Sequence, residues 1–150
     1  MAITQAMATS FKVEILSSYH NFNTTNPSRS SNTADTFKIA LYTSSATLDA
    51  STTAYSATNE VSGTGYSATG NPLTISQVPT STSTTAWLDF ADTSWTTATI
   101  TANGALIYNS SQGNRAVAVL AFGGDKTSTA GTFTIVFPTA DSTNAIIRIA

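Results

Sequence analysis

The stretch Ala116-Val-Ala-Val-Leu-Ala-Phe122, closed by Gly123-Gly124-Asp125 and followed by Thr132-Phe-Thr-Ile-Val-Phe-Pro138, decides the fold class. The first run is apolar on both faces, as a strand buried inside a sheet requires. In the second, Phe133, Ile135 and Phe137 share one face and Thr132, Thr134 and Val136 the other. Pro138, which cannot donate to a ladder, stops it. Just upstream, Asn103-Gly104 is the pattern of a two-residue hairpin, because both residue types tolerate positive φ. Residues 105–108 then form a strand, and 109–114, with Gly113, a second turn.

Working outward, the same period recurs. Phe37, Ile39 and Leu41 lie on one face, with Lys38, Ala40 and Tyr42 on the other. Gly63, Gly65, Gly70 and Pro72 mark turns around a short strand, after which Leu73 and Ile75 alternate. Residues 80–85 read as a hydroxyl-rich link, and 86–90 as a strand. Gly123-Gly124-Asp125 reads as a hairpin turn. Ala145, Ile147 and Ile149 close the chain, with Arg148 facing out. About eight short strands without βαβ alternation predict an all-β fold, an antiparallel β-sandwich or jelly roll. The expected core is Phe37, Ile39, Leu41, Leu106, Leu120, Phe122, Phe133, Ile135, Phe137, Ile147 and Ile149. Residues 1–34 divide from this 35–150 domain. Residues 1–10 are polar and read as an arm. Phe11, Ile15, Tyr19 and Phe22 fall near helical spacing, while Phe11, Val13 and Ile15 also alternate as a strand would; the favoured reading is a short helix from Ser10, whose hydroxyl is placed to cap it. Residues 23–34, with Pro27, form a loop.

Composition narrows the chemistry. Of 150 residues, 20 are Ser and 29 are Thr, while only 9% are charged, against roughly 25% in an average globular protein. Six basic and eight acidic side chains give −2, too little positive charge for an electrostatic nucleic-acid binder. No apolar run reaches the roughly 20 residues of a membrane-spanning helix. Met1 to Ser10 lacks the charged start and apolar stretch of a secretory signal, so synthesis and folding in a cytoplasm are expected. The absence of cysteine excludes disulfides and thiolate chemistry, and a single histidine, His20, excludes a multi-His metal site within one chain.

Four groupings could carry chemistry. His20 with Asp35 or Asp89 and one of many serines suggests a hydrolytic triad, but no G-x-S-x-G elbow exists, and a helix-end histidine meeting free carbonyls is the plainer reading. Asp89 and Asp92 beside Trp87 and Trp95 suggest a glycosidase pair with an aromatic platform; turn chemistry for the aspartates and core packing for the tryptophans account for them as well. Gly123-Gly124-Asp125-Lys126-Thr127 lacks the spacing and the helix of a phosphate loop. Asn23 and Asn109 open N-x-[ST] sequons that matter only in a secretory pathway. No catalytic, metal or cofactor residue is therefore assigned, and an enzyme is not expected.

Five segments carry a resemblance. They are Asp35-Thr-Phe-Lys-Ile-Ala-Leu-Tyr-Thr43, Asn59-Glu-Val-Ser-Gly-Thr-Gly-Tyr66, Ala91-Asp-Thr-Ser-Trp95, Gly104-Ala-Leu-Ile-Tyr-Asn109, and the tail with Phe137-Pro-Thr-Ala140 and Ile146-Ile-Arg-Ile149. Over residues 35–150 the chain resembles small structural proteins of tailed bacteriophages. The resemblance implies a virion protein without catalytic motif: a capsid decoration, or cement, protein on the outer capsid surface. It would be made in the bacterial host cytoplasm and bind the major capsid protein as a homo-oligomer, a trimer at local threefold positions. The alternative is a tail or fibre component that binds host-surface glycan through Trp87 or Trp95. Scarce charge suits a packing surface whose contacts must survive changes in salt.

Overall fold

The two strands that flank residues 110–114 pair along nearly their whole length and form the spine of the protein. The computed structural model describes residues 2–23 and 33–150; most of the expected 23–34 loop, with Pro27, lies outside the described residues. In chain order the elements are β1 (Ala6–Met7), α1 (Thr9–Leu16), β2 (Phe37–Tyr42), β3 (Asn71–Leu73), β4 (Ile75–Thr82), β5 (Thr85–Phe90), β6 (Thr93–Asn109), β7 (Arg115–Ile135) and β8 (Ile147–Ile149). One sheet runs β1-β7-β6-β2-β3 and the other β4-β5-β8, with every named pairing antiparallel. This is the all-β, two-sheet architecture with one short N-terminal helix that the alternation predicts, consistent with a β-sandwich.

Burial follows the alternation where a strand has one wet face and becomes continuous where it has none. Residues 116–120 of β7 are all buried, as are Phe37, Ile39, Leu41, Leu106, Phe133, Phe137 and Ile147. Phe122 and Ile135 pack against the core while partly exposed. Ile149 departs from expectation at 48% exposure, because β8 is an edge strand only three residues long. Phe37 of the first sheet meets Phe90 of the second at 5.9 Å between ring centroids. Phe90 in turn meets Phe137 at 6.1 Å. Such aromatic contacts add to the area they bury and bind the layers together.

Several turns lie elsewhere than the sequence suggests. Asn103 and Gly104 sit inside β6, Gly104 pairing with Tyr42 on one side and Ala121 on the other. The glycine answers a close approach, since a Cβ there would meet the Leu120 carbonyl oxygen at 2.5 Å and the Ile3 side chain at 2.8 Å. Gly123-Gly124-Asp125 is likewise no hairpin. Ala102 pairs with Lys126 and Gly104 with Ala121, so residues 122–125 bulge out of β7. Gly123 at φ 71° and Gly124 at φ 139° take the conformations this needs, and Asn103 Nδ2 donates to Asp125 Oδ1 across the ladder. The true β6–β7 turn is the expected one at 110–114. The 80–85 link is instead the tip of the β4–β5 hairpin, with Thr82 opposite Thr85. Leu73 and Ile75 belong to different sheets, the chain crossing between them at Thr74.

The N-terminal segment is docked on the first sheet. Ala6 and Met7 pair with Val119 and Ala118, and Ala8 and Phe11 are fully buried. The helix begins one residue before the expected Ser10 and has no side-chain cap. Its approach is held by tertiary bonds instead: Ala8 N–H donates to the Val117 carbonyl and Thr9 N–H to that of Ala50. The Ser10 hydroxyl, expected to cap, is buried with no hydrogen-bond partner among the described residues.

Candidate functional site

His20 lies beyond the end of α1 and does not cap it. Its Nε2 meets Glu14 Oε2 at 2.8 Å, and its Nδ1 meets Asn109 Nδ2 at 3.0 Å. Glu14 reaches His20 because α1 turns it inward, where it is 6% exposed. Its other oxygen accepts from Arg115 Nη1 at 2.6 Å, and the guanidinium lies 4.4 Å from the Tyr19 ring centroid. Asp35 joins the same cluster, accepting from Asn109 Nδ2 at 2.8 Å and from Asn21 N–H at 2.9 Å. His20 and Asp35 are thus brought together, as a triad would demand, but through Asn109. Burial holds the His20 pKa below its ordinary value, the Glu14 contact opposing that shift.

Asp89 and Asp92 lie close enough for the Asp92 charge to act on Asp89, and each is bonded to a backbone N–H. Asp89 is 1% exposed in β5, its Oδ1 accepting Phe90 N–H, and burial pushes its carboxyl above the ordinary range. Asp92 Oδ1 accepts Phe137 N–H at 2.8 Å, which fixes the chain just after β7. Trp95 is buried between Tyr66 and Phe133 and offers no platform. Trp87 is partly exposed, with Nε1 bonded to Thr82 Oγ1. Among the described residues no group of three His, Asp or Glu side chains is arranged to hold a metal ion.

Composition and spacing left one polar centre undetected. Glu60 accepts from Tyr66 Oη at 2.7 Å, Tyr55 Oη at 2.7 Å and Thr69 N–H at 2.8 Å. Tyr66 Oη itself accepts Leu41 N–H, while Tyr108 Oη donates to the Thr69 carbonyl. Burial, with Glu60 adding to it, pushes Tyr55 up to about 12. The Asn59-Glu-Val-Ser-Gly-Thr-Gly-Tyr66 segment thereby acquires a structural meaning. Asn59 takes φ 61°. Val61 is buried and its N–H donates to the Leu41 carbonyl. Gly65, at φ 78°, lies where a Cβ would come within 2.9 Å of the Thr97 carbonyl oxygen. The visible signal was tyrosines flanking a lone glutamate, a pattern that gains meaning only once the loop is folded back on β2.

Outward, the molecule offers apolar grooves more than charge. Met7, Ile15, Leu16 and Ile149 line one of about 480 Å³ between α1 and β8, with Lys12 and Arg148 at its margin. Leu16 is 88% exposed and Val13 61%. A second groove, of about 540 Å³, runs along Phe122, Phe133, Ile135 and Val136. The β4–β5 hairpin contributes an exposed face rich in Ser and Thr. Comparison with protein-family models, with curated proteins and with solved structures finds no match to this chain.

Proposed function

We propose that this chain is a structural protein of a tailed-bacteriophage virion, a decoration protein that binds the outside of the major capsid protein shell and stabilises it. The observation that supports the reading is the surface: apolar side chains grouped at the α1–β8 groove on a chain with only 9% charged residues. Large apolar side chains exposed together mark surfaces meant to be covered by protein. The phage-like segments supply the context, and their glutamate, tyrosines and glycines have structural duties in the β body.

Attachment through that groove is tested by binding to purified, undecorated capsids. The wild type is expected to bind and to raise the temperature at which the shells disrupt. The double variant Leu16→Asp, Ile149→Asp should keep the β-sheet circular dichroism and bind at least about tenfold more weakly, since charges placed in an apolar contact cost more than about 1.4 kcal/mol. Equal binding by the variant removes the groove from the interface, and failure of the wild type to bind removes the proposed function. In the tail-component alternative, Trp87 is the one of the two tryptophans left partly exposed for a glycan.

A further inference from the structure

The His20 cluster is built so that one protonation state alone satisfies it. The side chain is 0% exposed. Asn109 Nδ2 donates to Nδ1, so the ring proton resides on Nε2 and is donated to Glu14. Asn109 is also 0% exposed, and its amide is fully committed. Nδ2 donates as well to Asp35 Oδ2 at 2.8 Å, and Oδ1 accepts Ser111 N–H at 3.0 Å. A second proton on His20 would stand on Nδ1, facing the Asn109 NH2 group, donor against donor. Turning the amide over would offer its oxygen to His20 but set NH2 against Ser111 N–H and withdraw the donor from Asp35. No orientation of Asn109 serves an imidazolium.

The same atoms hold three parts of the chain together. Asp35 accepts from Asn21 N–H and from Gln112 Nε2, and its own N–H donates to the Asn21 carbonyl. From this the geometry points to an acid-sensitive latch: uncharged His20 locks Asn21 and Asp35 to the β6–β7 turn, and its protonation unlocks them. Among the described residues the charged groups facing the ring are Glu14 from α1 and Asp35 ahead of β2, which favour the cation, and Arg115 from β7, which opposes it. Phe11, Phe22 and Phe37 pack around the ring, and burial is the largest influence, lowering the pKa. The unfolded chain therefore binds this proton more readily below about pH 6.5, and stability falls as pH drops from there through the folded midpoint. The latch is independent of the proposed role in a virion.

Amide exchange and side-chain NMR of the whole protein between pH 7.5 and 5.0 test it, a window above the ordinary carboxylate range. The His20 midpoint is expected below 6.5. After correction for intrinsic exchange, the amides of Asn21, Asp35 and Ser111 should open progressively more as pH falls from 7.5 to 5.0, following the His20 titration. Those of Leu106 and Val119 should not change. His20→Phe keeps an aromatic ring against Phe11 and Phe22 and should abolish the pH dependence of the three amides. A wild-type midpoint at or above 6.5, or continued protection of the three amides at pH 5.0, overturns the latch, and the wild-type measurement decides this even where the variant does not fold.

Discussion

At the scale of the residue, the polar side chains that look reactive in the sequence are occupied in holding the fold. Glu60, which the sequence does not single out, holds the fold as well, with three donors converging on one carboxylate. Glu60→Ala should destabilise the protein by about 2–4 kcal/mol, the sum of lost charge-assisted bonds and stranded tyrosine hydroxyls. Glu60→Gln should cost markedly less, since its amide oxygen can still accept Tyr66 and Thr69 while its NH2 donates to Tyr55. Urea denaturation of both variants checks this, and equal losses would show that packing rather than the carboxylate matters. The cluster escaped the sequence reading because hydrogen-bond partners five to nine positions apart in a loop have no periodicity. Asn109 escaped for a related reason: what decides its role is its contact with His20, 89 positions away.

Among elements, strands that are buried by alternation were legible, and the devices that bend or align them were not. Phe37, Ile39 and Leu41, and the continuous run at 116–120, declare their burial through side-chain period alone. Gly104 illustrates the opposite. Its dipeptide with Asn103 carries the chemistry of a turn, yet the strand continues because Tyr42 and Ala121 claim its backbone from both sides and Ile3 needs the space a Cβ would fill. Gly104→Ala is expected to cost about 1–3 kcal/mol as overpacking against backbone. Gly113→Ala meets no atom within 4 Å and carries only the φ of +66°, a cost of roughly 1–2 kcal/mol for a left-handed non-glycine residue. Thermal melts should therefore show both destabilised. Adding Ile3→Ala should rescue part of the Gly104→Ala loss and none of the Gly113→Ala loss. Helix α1 was only partly legible, since Phe11 and Ile15 fit a helix while Phe11, Val13 and Ile15 also alternate as a strand would, and its start depends on carbonyls of Val117 and Ala50 supplied by distant strand and loop.

For the whole molecule, the low charge visible in the composition bears on how the proposed attachment to a capsid would be held. Ion pairs within the described chain centre on Glu14, and the remaining surface offers hydroxyls and apolar grooves. Attachment resting on such contacts should change little between about 0.05 and 0.5 M salt, a range over which charge-steered binding weakens markedly because the screening length falls below about 5 Å. A stable contact of this kind needs at least about 1,000 Å² of buried surface, more than either groove alone and therefore a broad face of the β body or several copies. Cryo-electron microscopy of the intact virion decides where the protein sits. A capsid decoration protein is expected to show as a small two-sheet body repeated over the outer capsid at local threefold positions, with the α1–β8 end against the major capsid protein. Density for this chain confined to the tail or its fibres would contradict it.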